Sequence, residues 1–140
     1  MSKRDVDFYI FDVLISIIKI EEYVKGKTNA TELLYDCKSW DAVIRELEIL
    51  AEAMKKLLEY DIVDSEKRKI VNFRNIIVHN YFGIDLDIVW DVLINKIPIL
   101  KNEIINIINS LKNKNETIEC FIKDNHYLPF VIKELAKLKD

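Results

Sequence analysis

The eight residues 74–81, RNIIVHNY, bring together side chains that could carry out chemistry. These are Arg74, Asn75, His79, Asn80 and Tyr81. Histidine has an ordinary pKa of about 6.5 and exchanges a proton at neutral pH, whereas arginine stays cationic and binds phosphate oxygens through its planar guanidinium. Cleavage of RNA without a metal needs a base for the 2′-hydroxyl, an acid for the leaving 5′ oxygen and a cation for the phosphate. The segment supplies a histidine that can transfer protons and an arginine that can bind the phosphate.

A continuous helix would separate the two main candidates, Arg74 and His79. At about 100° per residue, positions 74 and 79 lie about 140° apart around the helix axis. Asn75 and His79 would then be i,i+4 neighbours, and Tyr81 would share nearly one face with Arg74. Arg74 and His79 could serve one site if the helix ends near His79, as Gly83 permits, or if two copies meet across a dimer axis. Because one histidine cannot be base and acid in one concerted step, the chemistry favours two copies.

Length, composition and charge restrict the class of protein. A chain of 140 residues that is 50% hydrophobic, with two glycines and two prolines, favours one helical domain over a β protein with many turns. The net charge of −3 argues against a general polyanion-binding surface, so any RNA contact must be local. Charged residues interrupt each apolar run, and no secretory leader is recognisable. These features predict a cytoplasmic protein without a membrane partner.

Apolar residues recur at three- and four-residue spacing in successive segments, which predicts an all-α, up-and-down four-helix bundle with an additional C-terminal helical element. The predicted helices are 5–25, 39–60, 65–83 and 85–112, and the C-terminal element comprises 116–123 and 128–139. One domain, 1–140, is therefore expected, with a main bundle at 1–112 and an extension at 113–140. Apolar side chains in excess of what one small bundle can bury favour a homodimer.

Polar residues and a proline predict where these helices begin and bend. Ser39 and Ser65 are the expected N-caps of the second and third helices, and either Asp85 or Asp87 caps the fourth. Pro98 removes one backbone donor from the fourth helix and should kink or loosen it.

The motif at 74–81, followed by Gly83-Ile84-Asp85, resembles the R-x4-H-x-Y signature of HEPN-domain proteins of the HepT type. Upstream, AVIRELEILAEA at 42–53 is similar to the second-helix block of that family. Pro98 falls where the family often has proline, whereas Ala51 replaces a glycine that the family commonly has. The resemblance covers most of the chain to about Ser110.

This resemblance implies a helical homodimer with Arg74 and His79 lining a cleft between chains, and Asn75 and Asn80 in supporting positions. It implies a metal-independent endoribonuclease that needs no cofactor and acts as the toxin of a toxin–antitoxin pair. The implied partner is a minimal nucleotidyltransferase antitoxin that transfers AMP from ATP onto Tyr81. An attached nucleotide would place negative charge and bulk where an RNA phosphate must lie, and so would block cleavage.

Two other sets of charged residues invite a functional interpretation. Lys67, Arg68 and Lys69 could guide RNA towards the motif, or could be an ordinary solvated first turn. A set of acidic residues between positions 46 and 59 is better explained as surface salt-bridge partners than as acid catalysts or metal ligands. These are Glu46, Glu48, Glu52 and Glu59. The sequence shows neither a metal-ligand cluster nor a Gly-rich phosphate loop, so no metal is predicted.

Two functions of other classes remain as alternatives to the nuclease. One is a catalytically silent HEPN module that dimerises and presents a surface to a nucleotidyltransferase. The other is a helical bundle that binds a free nucleotide. The intact trio Arg74, His79 and Tyr81 favours the nuclease.

Overall fold

A computed structural model describes residues 3–79 and 85–140, with side chains for 5–76 and 85–140. Every regular element in this part of the chain is helical, which confirms the all-α prediction. The elements are α1 (Lys3–Val24), α2 (Ala30–Tyr35), α3 (Cys37–Glu59), a 3-10 turn (Ser65–Lys67), α4 (Arg68–His79), α5 (Leu86–Asp91), a π turn (Val92–Lys96), α6 (Ile97–Asn109), α7 (Lys114–Asp124) and α8 (Pro129–Ala136).

The pair α1 and α3 forms the centre of the core. Along α3, apolar side chains spaced alternately by four and three residues make one continuous stripe, which is buried. They are Val43, Leu47, Leu50, Met54 and Leu57. They pack with buried side chains of α1, which include Ile10, Phe11, Leu14, Ile17 and Ile20. Each such side chain contributes about 1.5–3 kcal/mol by leaving water. The helix α6 also packs against α1.

The N-caps predicted at Ser39 and Ser65 are wrong, because an aspartate upstream takes the role in both cases. The Asp36 carboxylate accepts hydrogen bonds from the backbone N–H of Ser39 at 3.3 Å and from its hydroxyl at 2.8 Å. Asp64 caps the 3-10 turn by accepting from the backbone N–H of Glu66 at 3.1 Å. A carboxylate offers two acceptor oxygens and a negative charge that is favourable at the positive end of a helix, so an aspartate can take the capping position beside a serine.

The helix predicted at 85–112 begins as expected but is divided. Asp85 is its N-cap and accepts from the backbone N–H of Asp87 at 2.9 Å. A π turn at Val92–Lys96 then precedes Pro98, which lies in the first turn of α6. Because proline has no N–H and its ring collides with the carbonyl four residues earlier, the wider π turn lets the chain continue without that clash. The predicted loosening at Pro98 is therefore confirmed.

Helix α4 lies on the outside of the bundle and packs chiefly against α3. None of its described side chains, residues 68–76, is fully buried, and Ile76 is 52% exposed. Its described apolar side chains are therefore only partly covered within one chain, and the side chains of Ile77 and Val78 lie outside the described set.

The C-terminal extension packs against α1. The ring of Phe121 in α7 stacks on Phe11 with centroids 5.1 Å apart and meets Phe8 edge-on at 5.3 Å. These contacts cover a face of α1 that α3 leaves open. The boundary predicted at residue 112 falls between α6 and α7, and the division into main bundle and extension stays a prediction.

Candidate functional site

Helix α4 carries the first part of the predicted site. Arg74 and Asn75 lie in it with described side chains, and His79 is the last of its described residues, with a side chain outside the described set. Because the backbone is helical from position 74 to 79, those two positions are about 140° apart around the axis, as expected. The predictions for Asn80 and Tyr81 lie outside the described residues.

Arg74 lines a solvent-open cavity of about 370 Å³ between α1, α3 and α4. Ligand pockets commonly measure about 300–1,000 Å³. Helix α1 contributes Tyr9 and Asp12 to the walls, and α3 contributes Arg45, Glu48, Ile49, Glu52, Ala53 and Lys56. The cavity therefore holds charged groups of both signs beside the predicted phosphate-binding arginine.

The guanidinium of Arg74 is held weakly and only in part. Its Nη2 lies 3.6 Å from Oε1 of Glu52, and its Nη1 donates a hydrogen bond to Oδ1 of Asn75 at 3.3 Å. Its Nε is buried and finds no hydrogen-bond partner among the described residues. A buried donor without a partner costs free energy, and such groups are concentrated where a ligand completes the bonding. Each Nη group has two hydrogens and makes only one long contact, so the Nη groups keep donor hydrogens for an acceptor in the cavity.

Glutamates of α3 hold the cations around this cavity. Glu48 lies 3.7 Å from Arg45, and Glu59 lies 3.8 Å from Lys56. With the Glu52 pair, these contacts confirm three of the predicted surface salt bridges. Such exposed pairs contribute about 0–1 kcal/mol, so a phosphate could replace them.

Glu46, in contrast, was predicted as a surface partner and is buried. It lies on the side of α3 that faces a second cavity, together with Ser16, Lys19 and Asp124. The helical period places residue 46 about 120° from residue 52 around the axis of α3, so the two glutamates belong to different surroundings. They were predicted together as surface salt-bridge partners only because they are close in sequence.

The basic run before the motif divides into two kinds of residue. Lys67 is half-buried, and its ammonium lies 2.8 Å from Oε2 of Glu103 in α6. It therefore ties the 3-10 turn to α6. Arg68 and Lys69 are exposed at the start of α4. Within the described part of the chain only these two of the three remain open to an anion, and their contact with RNA stays a prediction.

Sequence reasoning missed Asp12, a half-buried carboxylate in the wall opposite α4. Burial raises the pKa of Asp12 above its ordinary value. The signal was present, because Asp12 interrupts an otherwise apolar stretch between the buried Phe11 and Val13. Arg45 was also missed as a neighbour of Arg74, since the two are far apart in sequence and meet only through the packing of α4 on α3.

Two features are absent from the described residues. No group of three or more His, Cys, Asp or Glu there is arranged to hold a metal ion. None of the helices in that same set is both long and apolar enough to cross a membrane.

Known proteins resemble the chain over most of its length. The family model described as "Ribonuclease HepT-like" matches residues 13–107. A Methanocaldococcus jannaschii protein named "Putative RNase" is 35% identical over 120 residues, 83% of this chain and 98% of the relative. A Thermococcus cleftensis protein named "Probable ribonuclease HepT" is 33% identical over 104 residues, 72% of this chain and 94% of the relative.

A longer M. jannaschii protein, named "Gamma-glutamylcyclotransferase and putative RNase", is 39% identical over 127 residues. These residues make up 85% of this chain, and the match spans 55% of that relative's length. No solved structure matches the chain.

The described part of the chain is thus an all-helical protein with an arginine in a cavity between three helices. The chain belongs to the HepT-like ribonuclease family, since the family model covers more than half of it, including the whole RNIIVHNY motif. The resemblance drawn from the motif is confirmed.

Proposed function

We propose that the protein is a metal-independent endoribonuclease that acts as the toxin of a toxin–antitoxin pair. The observation that carries this proposal is the position of Arg74, whose partly buried guanidinium lines the cavity and whose Nε lacks a partner among the described residues. Family membership supports RNA as the substrate. The acidic net charge restricts RNA binding to this local site.

Arg74 binds the scissile phosphate in this proposal. A phosphate oxygen takes the place of the Glu52 carboxylate, which is a weak and largely exposed partner with 58% of its side chain accessible. Arginine donates two parallel hydrogen bonds to phosphate and remains charged throughout the reaction. Asn75 holds one side of the guanidinium through the bond already present, which leaves the other donors for RNA.

His79 transfers protons, and a second copy of the chain completes the cleft. The described part of α4 leaves Ile76 half exposed one turn before His79 along the helix. The segment 86–109 likewise exposes Ile88, Ile94 and Ile99. Apolar side chains of this size are favoured at interfaces between copies. Positions 74 and 79 of one helix lie about 140° apart around its axis, so one copy does not bring both side chains to the same side. A dimer through α4 would bring two motifs together.

Tyr81 is the position at which the enzyme is silenced in this proposal. A nucleotidyltransferase antitoxin attaches AMP to its hydroxyl, and the new phosphodiester adds a negative charge beside the arginine that must bind RNA. Asn80 supports the same end of the motif. The modified enzyme is then unable to admit a substrate phosphate.

The test compares wild-type protein with Arg74→Ala and His79→Ala, each expressed alone and with the adjacent nucleotidyltransferase gene, if one is encoded there. Wild type alone is expected to arrest growth and break cellular RNA, and purified wild type should cleave RNA in the presence of EDTA. Loss of the phosphate-binding cation or the proton carrier should lower the cleavage rate by about 10²–10³-fold. Co-expression with the antitoxin should add one AMP to Tyr81, seen by mass spectrometry.

Lys55→Ala is the matched control, because it removes a cation from an exposed position of α3 beside the cavity-lining Lys56. It should cleave as wild type does. If wild type and both motif variants were equally inactive, the silent dimerisation module would replace the nuclease. An AMP adduct on another residue would contradict the silencing scheme alone.

A further inference from the structure

Asp12 faces the same cavity as Arg74 from the opposite wall. It lies on α1, whereas Arg74 is on α4, and α3 forms the floor between them. A second cavity of about 250 Å³ adjoins the first, and Asp12 and Ile49 line both. The Asp12 carboxylate therefore lies between the two cavities, where a bound RNA chain could reach it from either one.

No hydrogen bond or ion pair joins Asp12 to any of the described residues. Half-burying a carboxylate without a partner costs free energy that a structural salt bridge would offset. Helix α1 could carry a neutral polar residue here at lower cost. Unpaired, partly buried acids in a cleft are concentrated at functional sites, and burial raises the pKa of Asp12, which makes its carboxylate a stronger base.

We propose that Asp12 is the general base of RNA cleavage at this site; this inference rests on the proposed function. One Oδ of Asp12 takes the proton of the ribose 2′-hydroxyl. The 2′ oxygen forms a bond to phosphorus while the bond from phosphorus to the 5′ oxygen breaks, and the leaving 5′ oxygen takes a proton from the imidazolium of His79. The products are a 2′,3′-cyclic phosphate and a 5′-hydroxyl, with Arg74 neutralising the phosphate charge.

This assignment changes what the second copy must supply. A single histidine cannot act as both base and acid in one concerted step, so without another base a second histidine would be needed. With Asp12 as base, one carboxylate and one imidazolium are sufficient for each cleaved bond. The dimer then brings an arginine and a histidine to the correct separation rather than doubling the number of proton carriers.

The test uses Asp12→Asn, which keeps size and shape and removes the basic carboxylate. Cleavage of an RNA oligonucleotide by this variant should be slower by about 10²–10⁴-fold, the usual contribution of general base catalysis. Its thermal unfolding should occur at or above the wild-type temperature, because an unpaired, half-buried charge has been removed. Asp41→Asn makes the same chemical change at an exposed position of α3 and should leave the rate unchanged.

A modified substrate separates base from acid. In an RNA with sulfur in place of the leaving 5′ oxygen at the mapped cleavage site, the leaving group is a thiolate, which needs no proton from an acid. His79→Ala should regain most of its lost rate on this RNA. Asp12→Asn should remain as impaired as on ordinary RNA, because the 2′-hydroxyl still needs a base.

Two results would overturn the assignment. Asp12→Asn cleaving within threefold of wild type would show that the carboxylate is dispensable, and its rescue by the sulfur substrate would place it on the acid side. If wild type itself fails to cleave RNA, the proposed function fails and this inference fails with it. If Arg74→Ala and His79→Ala lose activity while Asp12→Asn keeps it, only the inference is wrong.

Discussion

Helices α3 and α4 pack against each other but differ in how deeply their side chains are buried. Helix α3 buries eleven residues, ten of which are apolar and belong to the core. None of the described side chains of α4, residues 68–76, is fully buried, and they include the arginine of the candidate site. Helix α3 therefore supplies much of the buried core, whereas α4 meets the core only through half-buried side chains such as Ile70, Val71 and Phe73. A helix that is less deeply buried can keep polar donors exposed to a ligand and an apolar side chain exposed to a partner.

The largest expected effect separates stability from activity. Leu57→Ala removes a fully buried side chain of α3 and should lower the free energy of unfolding by about 2–5 kcal/mol, through lost burial and the cavity left behind. Arg74→Ala in α4 removes an ion pair with an exposed carboxylate and should change that free energy by about 1 kcal/mol or less. Urea denaturation monitored by circular dichroism measures both. Equal losses in the two variants would show that α4 belongs to the core after all.

The second effect concerns the open face of α4. Ile76→Asp should raise the dimer dissociation constant at least about tenfold, because a charge would have to leave water at the interface. Analytical ultracentrifugation over a concentration series gives this constant. Tyr35→Asp, at a side chain of α2 that is 82% exposed, should not change it. A dimer insensitive to Ile76→Asp would move the interface away from α4.

The smallest effect concerns the start of α3. The hydrogen bonds from Lys27 and Ser39 lower the pKa of Asp36 from 3.8 to about 2. Since the folded state lowers this pKa, the charge of Asp36 stabilises the fold above pH 3.8, and the contribution is lost as pH falls towards 2. Asp36→Asn keeps an acceptor for the cap but loses that charge. Its melting temperature should be slightly below that of wild type at pH 7, and the gap should close near pH 2. A gap independent of pH would assign the effect to the cap alone.

The periodicity of apolar residues predicted most of the fold because a helix needs one continuous apolar face wherever it packs. It located both ends of α1 and of α3 to within two residues. Gly26, with a φ of 83°, lies just after the end of α1. The N-caps at Ser39 and Ser65 were wrong because several capping residues stood side by side. Local sequence does not reveal which of them has the geometry to accept the orphan N–H groups.

The candidate site was predictable only in part. The types and spacing of the residues around Arg74 indicated phosphate binding and proton transfer, and the family resemblance followed from them. Asp12 and Arg45 could not be assigned, because their distance from Arg74 along the chain says nothing about distance in space. Glu46 was misplaced for the related reason that helical period and packing, rather than sequence proximity, determine which side of α3 a residue faces.

The sequence by itself determined the helical class, the family and the chemistry available at residues 74–81, since these depend on residue type and short-range spacing. The tertiary structure decided that Arg74 shares a cavity with Asp12 and that its Nε is left without a partner among the described residues. It also decided that α4 lies outside the core with Ile76 uncovered. These are properties of how three helices pack, and packing brings together residues that no local pattern connects.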